Sequence, residues 1–155
     1  AMKYFYGKVT MYEDYDPHAR NLILYFLDKH FPDPDHLVRP TDPLPIVVDE
    51  AEIRELFPTD DRLENYRALN KAVREIGLNI PPLVNAYMAL SPEMRVFGTA
   101  INEDFGHVEE TGILIAIDEI IPDKRVRHIE TFDPDKAQSD LLWTNISRRV
   151  RLVKS

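Results

Sequence analysis

The residues best placed to do chemistry lie in FGTAINEDFGHVEETGILIAID, residues 97–118, where Glu103, Asp104, Glu109 and Glu110 gather beside Asn102 and His107. Carboxylates this crowded repel one another. At least one can have its pKa raised and act as a base near neutral pH. Gly98, Gly106 and Gly112 would let a ligand or another backbone approach closely. The same composition also describes a polar hairpin whose acids face water, since turns attract Asp, Asn and Gly. A metal site would need His107 with Glu109 or Glu110 and His128, and that spacing matches none of the strong zinc signatures. The chain has no Gly-x-Ser-x-Gly elbow, Walker loop or Gly-x-Gly-x-x-Gly run.

The elements that would position these residues can be read from patterning. Tyr4–Met11 is aromatic and β-branched and reads as a strand, with a bulge expected at Gly7. Asp16 and Pro17 signal a helix start, and the helix must end by Phe31, before FPDPD. Five prolines between residues 32 and 48 make a stiff connection, read as an insertion crossing the surface. Asp49 with Glu52 opens a short helix through Phe57. A further helix carries Leu63, Tyr66, Leu69, Val73 and Ile76 on one face and stops at Gly77. NIPPLVNAYMALSP starts a fourth helix, whose Leu83, Val84, Tyr87 and Leu90 suit a core and whose Asn85 is the polar exception. Strands follow at Arg95–Asn102 and Thr111–Ile121; GILIAI in the second predicts burial on both faces. RVRHIETF reads as a last strand, and the remainder, with Trp143, as a short helix or tail.

At 155 residues the chain fits one domain with a real core, and its composition, 44% apolar and 30% charged, is that of a globular protein. With no cysteine it can form no disulfide, thiolate metal site or cysteine nucleophile. A net charge of −8 opposes whole-surface binding to nucleic acid or anionic lipid. The basic run RRVRLVK is the local exception; it reads as a solvated terminus rather than a membrane-touching patch. No run is long and apolar enough to predict a membrane span, and AMKYFYGKVT does not read as a secretory signal. A core strand entered almost at the first residue leads us to expect a preceding segment.

GLNIPPLVNAYM, followed by FGTAINEDFG and an acid four residues after Phe105, resembles the ornithine-lipid and glycine-lipid N-acyltransferases, often labelled hemolysins. That family has an Ile-Pro-Pro-Leu then Tyr segment leading to Asp-x-Asp-Phe and a further acid. Asp104 and Phe105 match, Glu109 takes the further acid's place, and Asn102 departs from the first acid. GKVTMYEDYDPHARNLILYFLDKHF and RHIETF extend the likeness, which is closest to the Bacteroidetes branch and covers roughly residues 3–132.

The resemblance implies an α/β (α+β) GNAT-like half-domain over residues 1–132, with a mainly antiparallel sheet, packed helices and a helical insertion; residues 133–155 are an unassigned extension. It implies the C-terminal part of an enzyme that moves a fatty acyl group from a carrier thioester to the α-amine of an amino acid. The donor would be acyl carrier protein or a CoA thioester, the acceptor a small amino acid. No metal, tightly bound cofactor or nucleic acid is implied. A cytoplasmic location, peripheral contact with the inner membrane and homo-oligomerisation are further expectations. Because GNAT-type donor-phosphate loops precede the strand that opens this chain, the chain alone is expected to be inactive. Glu109, rather than Glu110, is expected to point into the cleft as the base, with Asp104 orienting it or holding the ammonium. Asn102, Phe105, Pro82, Asn85 and Tyr87 would line the substrate cleft, and the backbone near Gly7 and Lys8 would serve the oxyanion. Two non-catalytic readings stand beside this one: a folding subdomain, and an acidic module that meets a basic partner.

Overall fold

The structure is a computed structural model that describes residues 3–125. The described residues divide into two units, a compact one over residues 3–120 and a second described by Ile121 and the short helix α5, Pro122–Arg125. The first unit runs β1 (Tyr4–Met11), α1 (Pro17–His30), α2 (Glu50–Leu56), α3 (Arg62–Glu75), α4 (Pro82–Leu90), β2 (Arg95–Asn102) and β3 (Val108–Ala116). It is the mixed α/β architecture expected, with a three-stranded sheet in the order β1-β3-β2 whose pairings are both antiparallel. That arrangement is consistent with a GNAT-like half-domain.

Local chemistry sets the helix starts. Asp16 accepts from the N–H groups of His18 and Ala19, Asp49 from Ala51 and Glu52, and Asp61 from Glu64, so each of the three helices opens on an aspartate that satisfies orphan donors. Gly77, at φ +87°, closes α3 in the left-handed conformation glycine tolerates. Phe31 ends α1, and its carbonyl accepts the Val96 N–H at 2.9 Å, tying the helix end to β2.

Strand alternation divides the sheet into two faces. Val9 and Met11 of β1, Thr111, Ile113 and Ile115 of β3, and Val96 and Thr99 of β2 are buried on one face. With Leu22, Ile23, Phe26 and Leu27 of α1, Leu69 and Val73 of α3 and Val84 of α4 they make the core. The side chains of Lys8, Glu110 and Asn102 belong to the opposite face, which no described helix covers.

Four expectations are corrected. The last described strand is Val108–Ala116 rather than Thr111–Ile121, because pairing begins at Asn102↔Val108 and the chain coils into a 3₁₀ turn at Ile117–Glu119. Glu109 and Glu110 therefore lie within a strand, and the true turn is the 3₁₀ piece Glu103–Phe105 with Gly106 and His107 at positive φ. GILIAI is buried on one face only, since Gly112, Leu114 and Ala116 are half-buried. Gly7 carries no bulge: it pairs in register with Ile113, and the irregularity lies in β2 between Val96 and Thr99, where Gly98 has φ +107°. On α3 the buried stripe is rotated, leaving Leu63 and Ile76 exposed while Asn65 is fully buried. The Asn65 amide donates to the Thr59 carbonyl and meets His30 Nε2, both at 2.9 Å. The expected strand RVRHIETF, Trp143, the basic run and residues 133–155 lie outside the described residues.

Candidate active site

A cleft of about 590 Å³ opens on the face of the sheet away from α1. Strand alternation puts Phe97, next to core-facing Val96, on this face, where its ring stacks with Tyr6 (centroids 6.4 Å apart, planes within 17°). The two rings lie over Gly112; a Cβ there would sit 3.0 Å from the Tyr6 hydroxyl and 3.5 Å from Phe97. This glycine thus makes room for an aromatic floor. Lys8 reaches diagonally from β1 to Glu110, with Nζ donating to Oε2 at 2.7 Å. That bond holds the Glu110 carboxyl below the ordinary carboxylate range; burial opposes the shift and a bond from Asn102 reinforces it. Asn102, Glu103 and Asp104 form the rim where β2 turns toward β3. The proline-rich segment supplies the remaining wall, with Arg39 and Asp42. It is pinned to the outer side of β2 by Pro40 against Gly98, and by the Leu44 N–H donating to the Thr99 carbonyl at 2.8 Å.

The residues expected from the sequence are only partly brought together. Lys8, Asn102 and Asp104 line the cleft. Glu109 does not. As strand alternation requires, it points opposite to Glu110, but the face it points to is the helix-covered one. There Glu109 is 8% exposed, and its Oε1 accepts from Arg20 Nη1 of α1 at 2.5 Å. Arg20 in turn donates through Nε and Nη2 to Asn21 Oδ1, both at 3.3 Å, which holds the guanidinium in place. The expectation that Glu109 faces the cleft is therefore reversed, because α1 covers its side of the sheet. Tyr87 is also on the covered face: its hydroxyl occupies the space a Cβ of Gly7 would need, and its ring lies 5.9 Å from that of Phe5. Asn85 accepts a 2.7 Å bond from the Tyr66 hydroxyl and lines a separate pocket of about 420 Å³ with Phe26 and Met88. Pro82 is exposed at the first turn of α4, and Phe105 is largely exposed at the turn.

The oxyanion expectation is narrowed by the sheet's parity. The Ile117 N–H donates to the Lys3 carbonyl, one pair before Tyr4↔Ala116. Bonded pairs alternate along an antiparallel ladder, so the N–H groups of Gly7 and Val9 are committed to β3 and that of Lys8 points to the open edge. Among the described residues no cluster of His, Asp and Glu is arranged to hold a metal, and His128 lies outside them. Arg20, Tyr6 and Arg39 escaped the sequence reading. The i, i+2 placement of Tyr6 beside Lys8 on one strand face was the available signal for Tyr6; nothing local marked Arg20 or Arg39.

The chain is similar, over most of its own length, to proteins named as acyltransferases. Proteins named glycine N(alpha)-acyltransferase, from Bacteroides thetaiotaomicron and Phocaeicola vulgatus, are each 60% identical to it over 131 residues, 84% of this chain. The match takes in 39% and 40% of their own lengths, so the chain spans about two fifths of the relatives it matches. No family model and no solved structure matches it. No described helix is long and apolar enough to cross a membrane.

Proposed function

We propose that the chain is the C-terminal part of a GNAT-like N-acyltransferase, and that its cleft receives the amino-acid acceptor. The observation that carries this reading is the 60% identity to proteins named for acyl transfer to glycine. The charge of the cleft supports its assignment to the acceptor. Four carboxylates (Asp42, Glu103, Asp104, Glu110) face two cations (Lys8, Arg39), a balance that attracts an ammonium and repels the phosphates of an acyl-carrier or CoA donor.

In this reaction the acceptor's ammonium first loses a proton. Its nitrogen then attacks the thioester carbonyl, the C–S bond breaks, and the carrier leaves as a thiol. Asp104, at the rim, holds the ammonium and takes the proton directly or through a water. Glu110 stays ionised beside Lys8 and contributes field rather than basicity. The Lys8 N–H at the sheet edge is oriented to stabilise an oxyanion presented from that side. Glu109 acts through position: its pair with Arg20 locks β3 against α1, so that Glu110 and the rim keep their places. The donor is an acyl carrier protein or CoA thioester, no cofactor is retained, and the product is a fatty-acylated amino acid of aminolipid synthesis, made at the cytoplasmic side of the inner membrane.

A chimera tests this. Residues of this chain replace the matched region of the Bacteroides thetaiotaomicron relative, and N-acylglycine is measured by mass spectrometry with acyl carrier thioester as donor. The chimera should form the product. A folded chimera that makes none overturns the proposal.

A further inference from the structure

We propose that Arg39 anchors the carboxylate of a zwitterionic α-amino acid in this cleft; the inference deepens the acceptor-site reading above and rests on it. The two cations of the cleft are not equivalent. Lys8 is engaged by Glu110 at 2.7 Å and is neutralised there. Arg39 has no hydrogen-bond or ion-pair partner among the described residues. Elsewhere in the chain Arg20, Arg54, Arg62 and Arg95 each bond a carboxylate or a carbonyl, whereas Arg39, the one described arginine lining this cleft, keeps its donors free, as do Arg67 and Arg74 away from it. Nor does Arg39 sit on a slack loop. Pro40 fixes the backbone beside it and packs its ring 3.2 Å from where a Gly98 Cβ would stand, and the Leu44–Thr99 bond holds the segment four residues further on. The fixed backbone keeps the guanidinium at the cleft wall with its donors uncommitted, and its planar fork suits a carboxylate in bidentate contact.

Most of the opposite charge is supplied by other elements. Glu103 and Asp104 come from the turn after β2 and Glu110 from β3, whereas Arg39 comes from the proline-rich wall, which contributes Asp42 alone. An α-amino acid carries both charges on one carbon, and a cleft with a cation on one wall and carboxylates on another recognises that pair. The carboxylate excess alone would accept any amine. Arg39 makes the site discriminate, selecting acceptors that carry a carboxylate beside the ammonium. The aromatic floor of Tyr6 and Phe97 over Gly112 closes the remaining space and favours a small side chain.

Ligand-observed NMR on the 155-residue chain, with glycine and glycinamide as probes, tests this without requiring turnover. The two share the ammonium and differ in the carboxylate. The chain should prefer glycine. Arg39→Gln should weaken glycine binding by roughly tenfold or more while leaving glycinamide unchanged, and Arg39→Lys should recover part of the loss. Asp104→Asn should weaken both ligands. Arg39 is exposed on an irregular segment, so its variants should keep the parent's circular dichroism. Absence of glycine binding, equal affinity for the two probes, or glycine affinity unchanged in Arg39→Gln would each overturn the inference. The chimera separates this outcome from the other proposal. Acyl transfer with Arg39-independent glycine binding sinks only the role of Arg39; Arg39-dependent binding by a chimera that transfers nothing sinks only the transferase reading.

Discussion

Two adjacent glutamates in one strand meet two different fates, and the difference decides what each can do. Glu109 and Glu110 are paired to Arg20 and Lys8 respectively, but only the first pair is shielded, with side chains 17% and 11% exposed against 47% and 18% for the second. Removing one partner of a shielded pair strands the other charge, so Glu109→Gln should lose on the order of 3 kcal/mol of stability. The double variant Glu109→Leu with Arg20→Met should recover much of it, because no charge is then left unpaired. Glu110→Gln should change stability by under about 1 kcal/mol, since its pair is half in water, and should instead raise the chimera's KM for glycine. Urea melts of the variants beside their kinetics check both. If Glu109→Gln melts like the parent yet loses about a hundredfold or more in kcat, Glu109 is the base after all. That the two side chains diverge was legible from alternation alone. Which of them met the cleft was not, because the answer lies in Arg20, 89 positions away on a helix whose docking no local pattern reports.

Elements follow their local signals where those signals are covalent or capping, and depart from them where packing decides. The aspartate caps of α1 and α2 and the glycine stop at Gly77 were all readable. The start of β3 was misjudged because acidic residues read as turn, although cross-strand pairing with β2 continues through Glu109. The buried Asn65 was missed because an asparagine inside a helix reads as surface. That residue joins α3 to α1 through His30, and its amide nitrogen, already donating to Thr59, requires His30 Nε2 to accept. His30 must therefore be neutral there. Desolvation, and then the charges of Lys29 and Arg62, push its pKa below the usual value of 6.5, against the pull of Asp60 and Asp61. A depressed histidine pKa means the unfolded chain binds protons more readily. Stability is full above about pH 6.5 and falls as the pH drops through and below that value toward the folded-state pKa. Thermal midpoints taken between about pH 7.5 and pH 5.5 should show this loss, and His30→Gln should flatten that part of the profile. An unchanged slope in the variant would remove His30 from the account.

At the scale of the molecule, the sheet has one edge that the described chain leaves unpaired. β1 pairs β3 on one side and no described strand on the other, and the parity set by Lys3 and Ile117 directs the N–H and C=O groups of Tyr4, Tyr6, Lys8 and Thr10 to that open side. Tyr4 and Tyr6 are more than half exposed along it. An eight-residue aromatic edge of this kind is a template for pairing with another strand. In a protein of the relatives' length, a further strand is the natural partner of the Tyr4–Tyr6 part of this edge, which leaves the Lys8 N–H to an oxyanion. In the isolated chain the available partner is a second copy, joined edge to edge about β1. Light scattering behind size exclusion should thus show a concentration-dependent dimer at tens of micromolar. Thr10→Pro discriminates between this edge and other surfaces. The Thr10 N–H is one of those directed outward, so proline there removes a donor needed for edge pairing and none needed by β3. The variant should run as a monomer with unchanged helical circular dichroism. A dimer that survives Thr10→Pro would move the contact away from β1, and a parent chain that stays monomeric at every concentration would mean that its edge is protected without a partner copy.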